Sequence, residues 1–544
     1  MTATTRTARP AEAAAATSPF AESAPVQRMM KVLRPMLGVG IVLVVWWVLS
    51  IVLAELRIIP SPAATLDAFV SDLPLYPENA GATLTNAGIG YLAGNVLAIV
   101  TAVAFVRSAW AERLLLRIAI ASFCVPPVAI TPILVIVLPD DAPKQVLAAL
   151  GVFFTTLMSC VLGLRSADRT SLDVVRSMGG GEGKAFAKVR LQSMLPGLFA
   201  GLQIAAPAAL LGAILGEFLG SNRGLGVMLI QSQSSFEVPR TWAVAIVMAM
   251  LSGIAYWIIG IIARRATPWV GSRTDLAIGA TPLQTTRGVR STIGVVLGFV
   301  GSLVVILGLW WGAIIAFDLD SYFAKTPLDV LNYLVTVPAA AENRDIIFAG
   351  LGITLRDAGI GYVIGTVLAI VVSVLVVVSR VVRGIVTPLA LALRSVPLIA
   401  IIPLLALVFG RDLIGVTVIV SIVTFFPAFV SVVNALESTP ALASDVVRSM
   451  GGGSTLVMVL VRLPYAVPAI LTSAKIAVPG AISGATLAEW LATGEGLGSM
   501  IVRDFAASRF SALWSEAVLI ITVSVLFYSV IALLERRALR TFAA

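Results

Sequence analysis

The chain has 544 residues, 58% hydrophobic and 12% charged, with a mean hydropathy of +0.99 and a net charge of +9. A soluble domain is about half apolar and about one quarter charged, so this composition is that of an integral membrane protein. The absence of histidine excludes a His-based triad or His metal site, and Cys124 and Cys160, both in apolar stretches, offer neither zinc spacing nor a disulfide framework.

Residues 1–35, rich in Ala, Thr, Ser and Pro, have no apolar core and are expected to form a disordered cytoplasmic tail. A membrane-crossing helix needs about 20 mostly apolar residues. Twelve stretches qualify: 36–54, 86–106, 114–138, 146–164, 195–218 and 242–263, then 291–317, 358–378, 385–409, 413–434, 465–487 and 512–534. The third and ninth carry internal prolines, so breaks are expected there. The expected fold is an all-α polytopic membrane protein, 12 transmembrane helices arranged as two parallel six-helix repeats. Residues 36–266 make the first domain, 267–290 a cytoplasmic linker rich in Pro, Gly, Ser, Thr and Arg, and 291–544 the second domain. Placing the N-terminus inside puts most Lys and Arg in cytoplasmic loops, so both termini are expected to be cytoplasmic in a multi-pass protein of the plasma or inner membrane. The positive charge is then loop charge, and no nucleic-acid partner is called for.

The repeat is visible in the letters. "DVVRSMGGG" at 173–181 returns unchanged at 445–453, an offset of 272 that also relates Pro196 to Pro468 and Glu217 to Glu489. Upstream the offset is 271, through "AGIGY" at 87 and 358. Each half repeats a Gly-x3-Gly, Gly90/Gly94 and Gly361/Gly365, a spacing that lets helices approach closely. The nonapeptide reads as the end of a short helix. Thr170 or Ser171 in the first copy, and Thr439 before Pro440 in the second, are the expected caps. The glycines stop it, with Gly179 and Gly451 expected at positive φ. "GGGEGKAF" at 179 is not a phosphate loop: Met178 and Ala185 stand where Gly and Ser or Thr are required. No ATP site, metal or cofactor is expected.

The full spacing is Asp-Val-Val-x3-Gly-x9-Val-x-Leu. It runs through Asp173, Val174, Val175, Gly179 and Leu191, and again through Asp445, Val446, Val447, Gly451 and Leu463, where Pro464 follows. It falls after the fourth span of each half. This resembles the EAA loop of binding-protein-dependent ABC importer permeases (type I, MetI-like), Glu-Ala-Ala-x3-Gly-x9-Ile-x-Leu-Pro. Here Asp stands for Glu, Val for Ala, and Gln192 where the first copy would need Pro. The resemblance covers about 81–263 and 350–534, so two permease domains are fused. It implies that those eleven residues couple to two ABC ATPase subunits at the cytoplasmic face. It also implies an extracytoplasmic solute-binding protein as partner, and a chain that is itself no enzyme. The proline-rich "CVPPVAITP" and "RSVPLIAIIPLLALVFG", with "GEFLGSNRGLG" and "AEWLATGEGLG", look like the sulfonate, taurine, nitrate and pyrimidine-precursor branch.

Two further sets follow from the topology. Glu217, Gly224 and Gly226, with Glu489, Gly496 and Gly498, lie outside and are candidates for an outer gate; in the resembled family that rim meets the binding protein. Arg394 and Lys475 fall near the middle of spans, opposite uncharged counterparts Phe123 and Gln203. A cation at that depth is costly and usually faces a polar interior, so these four are candidates for the solute path, with an anionic solute in view. The competing reading is a secondary active transporter built from parallel repeats, which needs acidic ion ligands within spans. The sequence offers only Glu217 and Glu489 for that.

Overall fold

The computed structural model describes residues 40, 43–54, 59–269, 292–379, 381–386 and 398–542. Every regular element among them is a helix. The first half holds α1 (Leu43–Val52), α2 (Pro62–Ser71), α3 (Tyr76–Arg107), α4 (Ala109–Cys124), α5 (Pro127–Val137), α6 (Ala142–Arg165), α7 (Arg169–Ser177), α8 (Glu182–Gly220), α9 (Leu225–Ser234) and α10 (Val238–Ala266). The second holds α11 (Thr292–Ala316), α12 (Pro327–Val335), α13 (Ala340–Val378), α14 (Leu398–Phe409), α15 (Leu413–Glu437), α16 (Ala441–Ser449), α17 (Ser454–Thr493), α18 (Gly496–Ala506) and α19 (Phe510–Phe542). From α3 and α13 onward the two series run in the same order.

Eight of the described helices are long and apolar enough to cross a membrane: α3, α6, α8, α10, α13, α15, α17 and α19. The expected count of twelve is therefore not reached among the described residues. The expected third span is two helices, α4 and α5, meeting at 100°. Val125 precedes Pro126-Pro127 and is extended, at φ −70° and ψ 116°, because a proline ring crowds the preceding residue out of the helical region. Pro127 then opens α5, where its missing N–H is not needed. The described part of the first expected span holds one short apolar helix, 43–52, whereas α11, 25 residues long, covers nearly all of the seventh. Residues 387–397 of the ninth lie outside the described residues, as does most of the expected linker.

In each half a central helix is gripped from two sides: α6 packs between α3 and α8, and α15 between α13 and α17. The Gly-x3-Gly pairs set the first of these contacts, as their spacing suggests. A Cβ on Gly94 would strike Ala149 O on α6 at 2.6 Å, and one on Gly365 would strike Ser421 O on α15 at 2.6 Å. One tyrosine in each half is satisfied within the packing in a matching way. Tyr91 Oη donates to Leu202 O at 3.0 Å, and its counterpart Tyr362 Oη donates to Ala474 O at 3.1 Å.

The halves also pack on each other. The last long helix of each reaches the broken-span region of the other: α10 touches α14, while α19 touches α4 and α5. One continuous apolar core contains Val128, Ile214 and Leu225 of the first half with Ile402, Ile482 and Leu513 of the second. Within this interface Phe218 meets Trp490 edge-on, ring centroids 5.7 Å apart. These two residues are counterparts at the 272 offset, and counterparts touch only where a two-fold-like axis passes between them.

Candidate functional site

The repeated nonapeptides supply the last five residues of the nine-residue helices α7 and α16 and the turns that end them. Their starts differ from the sequence expectation. In the first copy the cap is Asp168, whose carboxylate accepts from Ser171 N at 2.9 Å. That bond, with a second from the Ser171 hydroxyl, holds Asp168 below the usual carboxylate range. Neither Thr170 nor Ser171 is the cap; both lie inside the helix. In the second copy Pro440 occupies the cap position without a side-chain bond. Thr439 cannot cap from one residue further out, and its hydroxyl bonds back to Ala435 O and Leu436 O of α15.

The ends agree in both copies. Gly179 and Gly451 take φ of +77° and +83°. The next amides reach back five residues: Gly180 N donates to Val175 O and Gly452 N to Val447 O, each at 2.9 Å. This closing turn satisfies carbonyls that a helix end leaves open. Gly180 and Gly452 are a second requirement, since a Cβ on Gly180 would lie 2.6 Å from Val175 O. The run of three glycines was the signal for them.

Each short helix has one face inward and one face outward. Leu172 and its counterpart Ser444 are buried, and Val175 and Val447 are half-buried. Asp173 and Asp445 are exposed and pair with Arg176 and Arg448 one turn on, at 3.2 and 3.4 Å. Outward-facing apolar side chains line up at helical spacing: Val174 and Met178 on the first, and Leu442, Val446 and Met450 on the second. Met178 and Met450 are 81% and 83% exposed, which an anchoring helix would not require. The sequence reading passed over the two methionines, although they stand inside the repeated motif. Leu191 and Leu463 follow π-helical turns, Phe186–Arg190 and Met458–Arg462, that join each short segment to its long helix. Both leucines pack against local cores, and Pro464 is exposed.

At the far end of α8 and α17 is a second repeated device. Helix α8 has 39 residues, so it extends about 58 Å and holds this device well away from α7. Glu217 is buried, and its Oε2 accepts from Gly226 N at 2.8 Å. Gly224 N donates to Asn79 Oδ1 at 2.8 Å and Leu225 N to Thr83 Oγ1 at 3.0 Å. In the second half Glu489 Oε2 accepts from Gly498 N at 2.8 Å and from Thr354 Oγ1 at 3.0 Å. The Thr354 hydroxyl in turn accepts from Leu497 N at 3.0 Å. Gly224 and Gly496 supply the positive φ the turn needs, at +136° and +80°. Each carboxylate is thus a clamp tying the end of one helix to the start of the next. Sequence reading found the glutamates and glycines but missed Thr83 and Thr354, whose shared place before "AGIGY" was the available signal.

Of the four mid-span residues, Lys475 has an acidic partner. Its Nζ lies 2.5 Å from Glu535 Oε2, and Thr472 Oγ1 donates to Glu535 Oε1 at 2.6 Å. Gln203 faces Gly260 of α10, in a space that a Cβ there would fill. Phe123 stacks on Phe154 with centroids 4.3 Å apart. Arg394 lies outside the described residues. The expectation that only Glu217 and Glu489 are buried acids needs correction. Asp357, Asp504, Glu516 and Glu535 are buried too, all in the second half. They sit near predicted span ends, where residue counting cannot tell a buried carboxylate from a wet one. Among the described residues no group of three or more acidic or sulfur side chains is placed to hold a metal.

Residues 94–268 and 361–540 each match the family described as binding-protein-dependent transport system inner membrane component. A probable ABC transporter permease protein of Haemophilus influenzae is 29% identical over 232 residues, which are 42% of this chain and 95% of that protein. A formylaminopyrimidine transport permease of Halalkalibacterium halodurans is 27% identical over 45% of this chain and 98% of its own length. A taurine transport system permease of Escherichia coli is 27% identical over 37% of this chain and 74% of its own. No solved structure matches.

Proposed function

Since the chain belongs to the family of binding-protein-dependent transport system inner membrane components, and carries that family's domain twice, we propose that it supplies both halves of the translocation path of an ATP-driven importer. A stretch of 232 residues, 42% of this chain, spans 95% of one relative, so that relative is about the size of one half. In this reading α7 and α16 face the cytoplasm and each docks on one of two separate ABC ATPase subunits, which hydrolyse the ATP. The eleven residues from Asp173 to Leu191 and from Asp445 to Pro464 shape those contacts. The observation that carries the proposal is the pair of short helices, built on the same backbone and each presenting exposed apolar side chains, Val174 and Met178 on one and their counterparts Val446 and Met450 on the other. The opposite ends of α8 and α17, held by the Glu217 and Glu489 clamps, form the outer gate and meet an extracytoplasmic solute-binding protein.

The solute class is a small anionic or heterocyclic nutrient, such as a sulfonate, taurine, nitrate or pyrimidine precursor. Support comes from the relatives named for formylaminopyrimidine and taurine transport. Lys475 and Arg394 remain the cations proposed for the path, with Phe123 and Gln203 opposite. The domains run 36–266 and 291–544, joined by 267–290, with both termini cytoplasmic in a plasma or inner membrane. The deciding experiment is reconstitution in vesicles with a cognate ATPase and binding protein. Uptake dependent on ATP and on both partners is the expected result. Uptake driven by an ion gradient without ATPase would overturn it in favour of a secondary transporter.

A further inference from the structure

A cavity of about 400 Å³ lies between α12, α13, α18 and α19, all in the second half. Its lining is sorted by charge. Asp504 and Glu516 are buried, Glu516 being only 1% exposed, whereas the Arg503 and Arg509 side chains are more than half exposed. Asp504 already has a partner, since Arg509 is ion-paired to its Oδ1, with Arg503 4.0 Å away. Glu516 differs: its Oε2 is buried without a hydrogen-bond partner, in a residue that lines the cavity. A buried carboxylate oxygen left unpaired is unfavourable, so a donor entering from the cavity would relieve it.

The first half does not repeat this set of residues. At the 272 offset Glu516 becomes Val244, Asp504 becomes Ser232, Arg503 becomes Gln231 and Arg509 becomes Glu237. The register is sound there, because Phe236 and its counterpart Ser508 share the same unusual φ of 57°. The charged cavity is therefore an addition to one repeat and no part of the duplicated clamp or short-helix machinery.

We infer that this cavity binds a small zwitterionic group, a primary ammonium against Glu516 and an acid oxyanion against Arg503 and Arg509. An ammonium is compact and brings three donors to an acidic interior. A bare divalent cation is poorly served, because it requires more oxygen ligands than two carboxylates provide and leaves the arginines at the mouth unmatched. Such a group is carried both by a soluble amino acid or amino phosphate and by the phosphoethanolamine head of a lipid. Ile346 at the cavity edge, 52% exposed, gives an acyl chain apolar surface.

The test uses the full-length chain in phosphatidylcholine nanodiscs, with thermal unfolding followed by tryptophan fluorescence. Free phosphoethanolamine should raise Tm by about 2 °C or more, and ethyl phosphate, which lacks the ammonium, should not. Glu516→Gln should abolish the shift and Arg503→Gln weaken it. If only discs containing phosphatidylethanolamine show the shift, with the same dependence on the variants, the site takes a lipid head. If neither free nor lipid probe shifts Tm, or ethyl phosphate acts equally well, the inference fails. Should Glu516→Gln not fold, Arg503→Gln decides: an undiminished shift in that mouth variant also overturns it. None of these outcomes bears on ATP-driven uptake, so the transport reading stands or falls separately.

Discussion

At Gly179 and Gly451 the backbone turns through a conformation that costs an L-residue about 1–2 kcal/mol, and more for a β-branched one. Space is not the constraint, since no atom lies within 4 Å of a Cβ built at either position. The double variant Gly179→Val, Gly451→Val should therefore reach the membrane in normal amounts but release or reorient the short helices. Pull-down of the ATPase should drop at least tenfold, and an unchanged yield would remove these turns from the coupling argument. Lys475 and Glu535 make a different case. Breaking a buried pair from one side costs about 3–5 kcal/mol, because the remaining charge is stranded, while replacing both is far milder. Lys475→Met and Glu535→Met should each lower Tm clearly, and the double variant should recover much of the loss. Uptake then separates the two roles of Lys475. A stable double variant that transports at the parental rate makes it a structural cation; one that folds but fails to transport makes it part of the path.

Among the elements, α7 and α16 share a backbone but not a surface. The second exposes three apolar side chains where the first exposes two, because Leu442 stands where the first copy has Thr170. The first is also braced to its long helix by Arg176 and Glu182 at 2.6 Å, whereas Ser454 replaces the glutamate in the second. An apolar side chain of this size contributes about 1.5–3 kcal/mol when fully buried in a groove. Met450→Asp should weaken ATPase binding by tenfold or more, and more than Met178→Asp does, with Tm unchanged for both exposed sites. Equal loss from the two would mean that the extra leucine adds nothing. The close helix contacts give a contrasting prediction. Gly94→Leu or Gly365→Leu forces α3 from α6, or α13 from α15, since backbone lies where the side chain must go. Overpacking of this kind costs about 1–3 kcal/mol or more, so lower Tm and lower yield are expected without a specific ATPase defect.

For the molecule as a whole, the two halves share one core and meet through counterparts at Phe218 and Trp490. Contact between equivalent residues is what a pair of identical subunits would make about a two-fold axis. A chain divided within 267–290 should therefore give two polypeptides that co-purify when expressed together. Each alone would expose Ile214 and Leu225, or Ile482 and Leu513, and should aggregate. Independent, soluble behaviour of the separate halves in mild detergent would mean that the linker, not the core, holds them together. The packing also concentrates buried acids in one half, so the pseudo-symmetry of backbone is not matched by symmetry of charge.

Membrane residence, the duplication and the short repeated helices were legible in the sequence because each rests on a local quantity. Hydropathy over about 20 residues, a repeated string and a glycine that must turn all survive without knowledge of neighbours. The break at Pro126 was legible for the same reason, although its 100° angle was not. What tertiary structure alone decided were relations between distant positions. Thr354 closing on Glu489, Lys475 meeting Glu535 and Phe218 touching Trp490 are separated by 60 or more residues and carry no periodic signature. The caps of α7 and α16 turned on shifts of one to three residues, which local propensity cannot resolve. Burial decided the rest: Glu516 at a predicted span end reads as an ordinary wet carboxylate until α12, α13 and α18 pack around it, and only that enclosure leaves its oxygen without a partner.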